Sequence, residues 1–367
     1  MSLTRAAITT IVNDLVDHGL VREAEDGRSM VGRRPVLLEM NPSRGYLVGV
    51  DIGATHLGLL ITDFASHVIC DLEQPFDISL PPPVGLDQVD LCLRNALGEV
   101  KLTLEDVVGI GVGVPGPVVM EEGAVTHPPI MPGWDQYPIQ NRLEELWHRP
   151  VTLNNDAELG ALGEWAHGAG RDQRHMAYIK VGTGIGAGLL MDGKIYRGAA
   201  GTAGEIGHIT ICDDGPLCTC GNYGCLEALA GGKAIAHQAQ EAARAGKRTQ
   251  LAAIGSAISI TAKDVASAAR RGDLVAQQIV VNAGSHLGIA IASLVNLFNP
   301  GMVVIGGGVA QIGDLLLQPL RQVVQQRSLP SVARVVRINT AVLGRRSTSM
   351  GAVVQAHNLV LDQLTQD

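Results

Sequence analysis

An α/β fold containing an internal duplication is predicted by three features of the sequence. Glycine is abundant, at 45 residues, while aromatics make up only 3%. That composition suits tight turns between helices and strands better than a β-sandwich or a disordered chain. A buried strand running into a glycine turn and out into a second strand occurs twice, roughly 130 residues apart. Finally, 367 residues exceed one comfortable core, so two or three domains are expected.

The first 44 residues form a unit of their own. Ile8, Ile11, Val12, Leu15 and Val16 recur at the spacing of an amphipathic helix, and Gly19 stands where a terminating glycine belongs. Residues 20–25 and 35–40 read as two short strands around Asp26-Gly27, with Arg28, Arg33 and Arg34 in the connection. A helix followed by a hairpin with a basic tip is the back half of a winged helix-turn-helix. In that reading Arg5 and Thr9 lie on the helix that enters the major groove, and the three arginines hold phosphates. The same pattern also describes an ordinary packing element. Six arginines are balanced here by six acidic residues, and no two helices precede the first one, so a truncated DNA-binding unit is expected. Met1-Ser2-Leu3 then reads as a cloning remnant or a misplaced start.

The first glycine hairpin follows. Residues 46–51 (YLVGVD) are a buried strand, Ile52-Gly53-Ala54-Thr55 the turn, and residues 57–62 the return strand. The second copy runs from residues 177–181 (AYIKV) through Gly182-Thr183-Gly184-Ile185-Gly186-Ala187-Gly188, and Asp192-Gly193 marks a further turn. Nucleotide sites of the Rossmann or P-loop type need a helix straight after the glycines. Here a strand follows each turn. Two such turns facing one another could instead clamp ATP phosphates through backbone N–H groups; otherwise they are tight turns in a glycine-rich protein.

Between the hairpins, residues 151–153 form a short strand ending in Asn154-Asn155-Asp156 before a helix carrying Ala157, Leu159, Leu162 and Trp165. Asp156 occupies the strand-to-helix junction where α/β proteins bind ligands, and it is equally a helix N-cap candidate. Glu205 and His208 lie three residues apart, and Glu227 follows closely. Such a set suits sugar hydroxyls, and a carboxylate can also take a hydroxyl proton during phosphoryl transfer. His208, Cys218, Cys220 and Cys225 give H-x9-C-x-C-x4-C, a closed Cys3His set of the kind that holds structural zinc. Zinc on one imidazole nitrogen would leave the other facing the sugar. Cys212 precedes this run and reads as a free thiol, while Cys70 and Cys92 stand apart.

Further on, residues 285–297 are a helical run, and residues 302–305 a strand ending in Gly306-Gly307-Gly308. Those glycines admit a nucleotide base or simply a tight turn. Residues 349–364 are amphipathic and should pack back on an earlier domain. A net charge of −8 argues against generic polyanion binding. The sequence shows no signal-peptide pattern and no apolar run approaching the roughly 20 residues that span a bilayer, so a soluble cytoplasmic protein is expected.

The runs CTCGNYGCLE (218–227) and GTAGEIGH (201–208), with the hairpins around them, resemble the ROK family of repressors, open reading frames and kinases. The resemblance covers nearly the whole chain. It implies duplicated α/β domains of the actin-like ATPase, ribonuclease H-like kind, with a sugar and a nucleotide in the cleft between them. It makes Asp156 the catalytic base. Asn155, Asp156, Glu205, His208 and Glu227 fall on sugar-contact positions, and Gly133-Trp134 on a loop beside the sugar. Asp51, Gly53, Thr55, Gly182, Thr183, Gly184 and Gly307 are the corresponding nucleotide positions. The division implied is residues 1–44, a small domain of 45–155 with 342–367, and a large domain of 156–341 carrying the zinc site.

ROK kinases usually read DxGGTK at the first hairpin, where this chain has Asp51-Ile52-Gly53-Ala54-Thr55-His56. A methyl at Ala54 crowds the approach to phosphate, and Ile130 stands where kinases often place an asparagine. With GRRPVLLEMNP at residues 32–42, the chain looks most like the repressor branch of the Mlc, NagC and xylose-repressor type. The expectation is a sugar-responsive transcriptional repressor, binding sugar, zinc and DNA as a homodimer or tetramer. The alternative is an ATP- and Mg2+-dependent sugar kinase of the glucokinase or N-acetylhexosamine kinase type.

Overall fold

The computed structural model describes residues 4–24, 37–254 and 256–364, together with all side chains in those ranges except that of Arg5. The first elements are helix α1 (Arg5–Asp17) and strands β1 (Val21–Glu23) and β2 (Leu38–Met40). Next come β3 (Tyr46–Ile52), β4 (His56–Asp63), β5 (Val68–Pro75), α2 (Pro82–Glu99) and β6 (Val107–Val114). After a small ribbon of β7 (Val118–Val119) and β8 (Ala124–Val125) follow α3 (Ile139–Trp147), β9 (Val151–Asn155) and α4 (Asp156–His167). The second half opens with β10 (Met176–Val181), β11 (Ile185–Met191) and β12 (Lys194–Ile195). It continues through α5 (Leu226–Ala230), α6 (Gly232–Arg244), α7 (Ala262–Arg270) and α8 (Leu274–Phe298). The chain closes with β13 (Met302–Gly306), α9 (Asp314–Arg327), α10 (Pro330–Ala333), β14 (Arg337–Thr340) and α11 (Ser347–Leu364).

The duplication expected from the glycine turns appears as two five-stranded sheets of the same topology. One is ordered β5-β4-β3-β6-β9 and the other β12-β11-β10-β13-β14. In each, a glycine hairpin joins two central antiparallel strands, and the first of these pairs in parallel with a later strand. The β11–β12 turn has Asp192 and Gly193 both at positive φ (51° and 75°), which suits the right-handed twist of the flanking strands.

Helices α4 and α11 lie between the sheets and pack on one another. Their close approach explains why β6 reads VVGIGVGV. A Cβ at Gly111 would strike the Ala352 carbonyl, and one at Gly49 of β3 the Ser349 carbonyl. Glycines on the sheet therefore let the α11 backbone lie directly on the strands, as the amphipathic pattern of residues 349–364 anticipated. Asp156, at the start of α4, is thereby placed where the two sheets meet.

Helix α1 ends as its sequence demanded. Gly19 adopts φ 67°, its N–H donates to the Val16 carbonyl, and the Leu20 N–H reaches back to Leu15, closing the last turn. Of the two strands that follow, Val21–Glu23 and Leu38–Met40 pair antiparallel, and the rest of the expected hairpin, residues 25–36, lies outside the described residues. Leu15 and Leu20 pack with Met40 against Phe64 and α11. Ile8, Ile11 and Val16 are instead largely exposed, so most of the apolar face of α1 is uncovered. Arg28, Arg33 and Arg34 lie outside the described residues, as does the side chain of Arg5.

Two further expectations are revised. Helix α8 starts at Leu274, well before the helical run read at residue 285, and it is long and apolar enough to cross a membrane. That corrects the expectation that no such stretch exists. Ile279, Val280, Leu287, Ile291 and Val295 are nonetheless buried in the core beneath the second sheet, the pattern of a core helix. At the turn after β13, Cβ atoms at Gly306 and Gly307 would strike the Tyr178 side chain and the Val181 carbonyl of β10. Close strand packing accounts for these two glycines.

Candidate functional site

The cleft is built from the ends of β3, β9 and β10 and the start of α4. Asn155, not Asp156, is the N-cap of α4: its Oδ1 accepts from the N–H groups of Ala157 (2.9 Å) and Glu158 (3.2 Å). Its Nδ2 donates to the Gly116 carbonyl at 2.9 Å, which leaves one amide proton for a ligand. Because Asn155 takes the cap, the Asp156 carboxylate is free to point elsewhere.

It points at Lys180. The ammonium of this β10 residue donates to Asp156 Oδ2 at 2.9 Å and to Thr348 Oγ1 at 3.3 Å, and it lies 3.6 Å from Asp51 Oδ1. Thr348 in turn donates to the Asp156 carbonyl at 3.1 Å. His56 Nε2 sits 3.3 Å from the other oxygen of Asp51. The group thus joins both sheets through one cation. Burial disfavours the charged form of Lys180, but Asp156 and Asp51 outweigh it and hold the ammonium above its ordinary value. Burial likewise raises the Asp51 carboxyl, yet Lys180 and then His56 hold it below the usual range. The hydrogen bond to Asp51 is the main cause that keeps the His56 imidazole above its own, against its burial.

At the first glycine turn, the Gly53 N–H donates to the His56 carbonyl at 2.8 Å. A Cβ at Gly53 would strike the His56 ring, so the imidazole lies directly over that glycine, with half-exposed Ala54 and exposed Thr55 beside it. At the second turn, the Gly182 and Thr183 carbonyls accept from the N–H groups of Gly232 and Lys233 at the start of α6. The N–H groups of Thr183 and Gly184 take no protein acceptor among the described residues.

Glu227 holds this second turn. Its Oε2 accepts from the Ile185 N–H at 2.9 Å, and its Oε1 from Thr219 Oγ1 at 3.3 Å. Burial raises the carboxyl of Glu205, His208 opposes this, and Glu227 and Asp156 add to it. Glu205, His208, Glu227 and Asp156 therefore share one electrostatic neighbourhood. Gly133, at φ 82°, is exposed on a loop whose next residue, Trp134, is fully buried and donates from Nε1 to the Leu80 carbonyl at 2.9 Å. Gly307 stands beside Val181, at the end of the strand that carries Lys180.

His208, Cys218, Cys220 and Cys225 offer ligand atoms that all lie within 4.8 Å of one another. Cys220 Sγ and Cys225 Sγ are 3.7 Å apart. A tetrahedral zinc with bonds of about 2.3 Å would set sulfurs about 3.8 Å apart, so the donor set fits a zinc ion. His208 Nδ1 faces Cys218 Sγ at 3.6 Å, while Nε2 faces Glu205 Oε2 at 3.9 Å. One ring nitrogen thus serves the thiols and the other looks into the cleft. Cys212 is exposed and lies outside the quartet.

Two features escaped the sequence reading. Lys180 carried a visible signal, a lysine in the middle of an apolar strand. The second is the buried Glu158, whose Oε2 accepts from Arg197 Nε at 3.1 Å. Arg197 lies in a segment with no local pattern to mark it.

Comparison with known proteins places this geometry. A putative xylose repressor from Caldicellulosiruptor sp. (strain Rt8B.4) is 34% identical over 96% of this chain and 88% of that protein. The crystal structure of a ROK family transcriptional regulator, a homologue of the E. coli Mlc protein, matches with TM-score 0.83 and 28% identity over 100% of this chain and 92% of that one. A ROK family glucokinase from Streptomyces griseus, solved with glucose and AMPPNP, matches with TM-score 0.75 and 31% identity over 86% of this chain and all of its own. The family model described as ROK family matches residues 47–358, and the chain belongs to the ROK family.

Proposed function

We propose that this chain is a sugar-responsive transcriptional repressor whose actin-like body senses the sugar. One observation carries the reading. The repressor relatives align through the N-terminal helix and hairpin, whereas the glucokinase is fully accounted for by 86% of the chain. The division of labour would be residues 1–44 for DNA, 45–155 with 342–367 as the small domain, and 156–341 as the large one.

In the cleft, Asp156, Glu205 and the one remaining amide proton of Asn155 would bind sugar hydroxyls, with the Gly133 loop beside them. With zinc on Nδ1, His208 would donate through its Nε2–H. Glu227 would act mainly by fixing the second turn. Zinc on His208 Nδ1 and the three thiolates would lock the imidazole ring, which is its chemistry here: orientation, with no open coordination position. Sugar binding would bias the closure of one sheet on the other. The Leu15–Leu20 contact with α11 would carry that motion to α1, where Arg5 and Thr9 would face the major groove while Arg28, Arg33 and Arg34 hold phosphates. A cytoplasmic homodimer or tetramer fits this role.

The test is a thermal-shift panel of sugars on zinc-loaded protein, with and without Mg-ATP, paired with anisotropy on duplex DNA from upstream of its own gene. One sugar should stabilise the protein and weaken DNA binding. DNA binding indifferent to every sugar would refute the sensor. The kinase reading retains one argument, an Asp156 carboxylate at a helix start in the cleft, though Lys180 engages one of its oxygens. ADP release no greater than that of an Asp156→Asn control would end it.

A further inference from the structure

A kinase of this fold needs a divalent cation and nucleotide phosphates between its two glycine turns, with a carboxylate ready to accept the sugar's proton. The residues here do not fit that arrangement. The space between Asp51 and Asp156 is spanned by the Lys180 ammonium, at 3.6 Å from one carboxylate and 2.9 Å from the other. The His56 imidazole covers Gly53, where phosphate would approach the first turn.

We propose that Lys180 is a tethered cation that takes the place of the divalent metal, so that the cleft closes on sugar alone. Three facts converge on it. Lys180 is attached to the second sheet and Asp51 to the first, so their attraction joins the two halves of the cleft as a metal–phosphate bridge would. Asp51 Oδ1 is buried and accepts no hydrogen bond, so the nearby ammonium is its one source of compensation among the described residues. Asp156 Oδ2 is already bound to Lys180, and Thr348 of α11 holds the ammonium from the third side. A metal ion at the pair would be pressed against a like charge at contact distance. The inference deepens the sugar-sensor reading. Its test uses neither sugar nor DNA, so either can fail without the other.

The test is titration of the zinc-loaded protein with Mn2+ alone, read by the electron paramagnetic resonance of free Mn2+, alongside calorimetry with Mg-ATP. Wild type should take neither at the Asp51–Asp156 pair. Lys180→Met, which keeps an unbranched side chain one atom shorter and without the charge, should bind one Mn2+ at least about tenfold more tightly. Adding Asp51→Asn should abolish that gain, and Lys180→Arg should behave as wild type. Wild-type protein that binds Mn2+ or Mg-ATP in a manner lost with Asp51→Asn would overturn the proposal. So would a folded Lys180→Met that gains nothing. Should Lys180→Met fail to fold, the wild-type and Asp51→Asn titrations still decide it.

Discussion

Replacing Glu164 with glutamine tests how the two sheets are held to the helices between them. Glu164 closes α4 and is fully buried. Its Oε1 accepts from the Leu343 N–H at 2.9 Å and Ser347 Oγ at 2.7 Å; its Oε2 accepts from the N–H groups of Ala169 at 2.8 Å and Val342 at 3.1 Å. One carboxylate therefore fastens the end of α4 to the start of α11. At Oε2 a glutamine amide would face two N–H donors; at Oε1 it would face the Leu343 N–H, while Ser347 Oγ can turn its proton to the Gly344 carbonyl and accept. The better orientation orphans one N–H that a carboxylate had accepted, a bond worth about 1.5–3 kcal/mol, so a loss of about 1.5–3 kcal/mol is expected. With an unfolding entropy of about 2.1 cal/mol/K per residue, a chain of this size loses about 1.3 °C per kcal/mol if it melts as one unit. Calorimetry of Glu164→Gln should then show a melting temperature about 2–4 °C lower. Ser347→Ala, which removes one donor and no acceptor, should cost about 1 kcal/mol. A Glu164→Gln shift below about 1 °C would refute this account of the junction.

Chelation, or Cys225→Ala, should release one zinc per chain and abolish sugar-induced stabilisation together with it; sugar affinity that survives metal removal would break the link through His208. His286 and His357 are half-buried, and each has one buried ring nitrogen without a partner among the described residues; burial holds both imidazoles below their ordinary value. The unfolded chain takes up protons that these rings resist, so their contribution is complete above about pH 6.5 and is lost as pH falls through the folded-state values. Urea midpoints from pH 7.5 to 5 should fall in wild type and fall less in His357→Phe, which keeps a ring beside Phe64. Gly111→Ala should cost about 1–3 kcal/mol or block folding, because its methyl meets the Ala352 carbonyl of α11; an unchanged melting temperature would show that helix and sheet can part without cost.

What could be read in the sequence was local. The Cys3His quartet is encoded within eighteen consecutive residues, from His208 to Cys225, and its spacing brings the four side chains together in the structure. The paired glycine turns gave the duplication, because a turn's chemistry is set by its own residues. Asn155 and Asp156 were harder: both are good caps, and only the observed hydrogen bonds assign that task to Asn155 and free its neighbour. Lys180 could not be placed at all, since its partners come from three separate elements, β3, the start of α4 and α11, which only the fold brings together. For α1, the 3.6-residue period correctly gave a helix, but periodicity reports which face is apolar and not whether anything covers it.

The position of α11 bears on how the protein is made. The first sheet is synthesised early, but the helix that covers the Gly49–Gly111 face is the last described element to leave the ribosome. Until then that face has no partner, and Leu15 and Leu20 of the N-terminal unit lack the surface on which they rest. An interrupted translation product would therefore carry neither a finished first domain nor a seated α1. Only a chain synthesised through α11 can present its N-terminal unit in a fixed orientation, which makes the far end of the polypeptide a checkpoint for the near one.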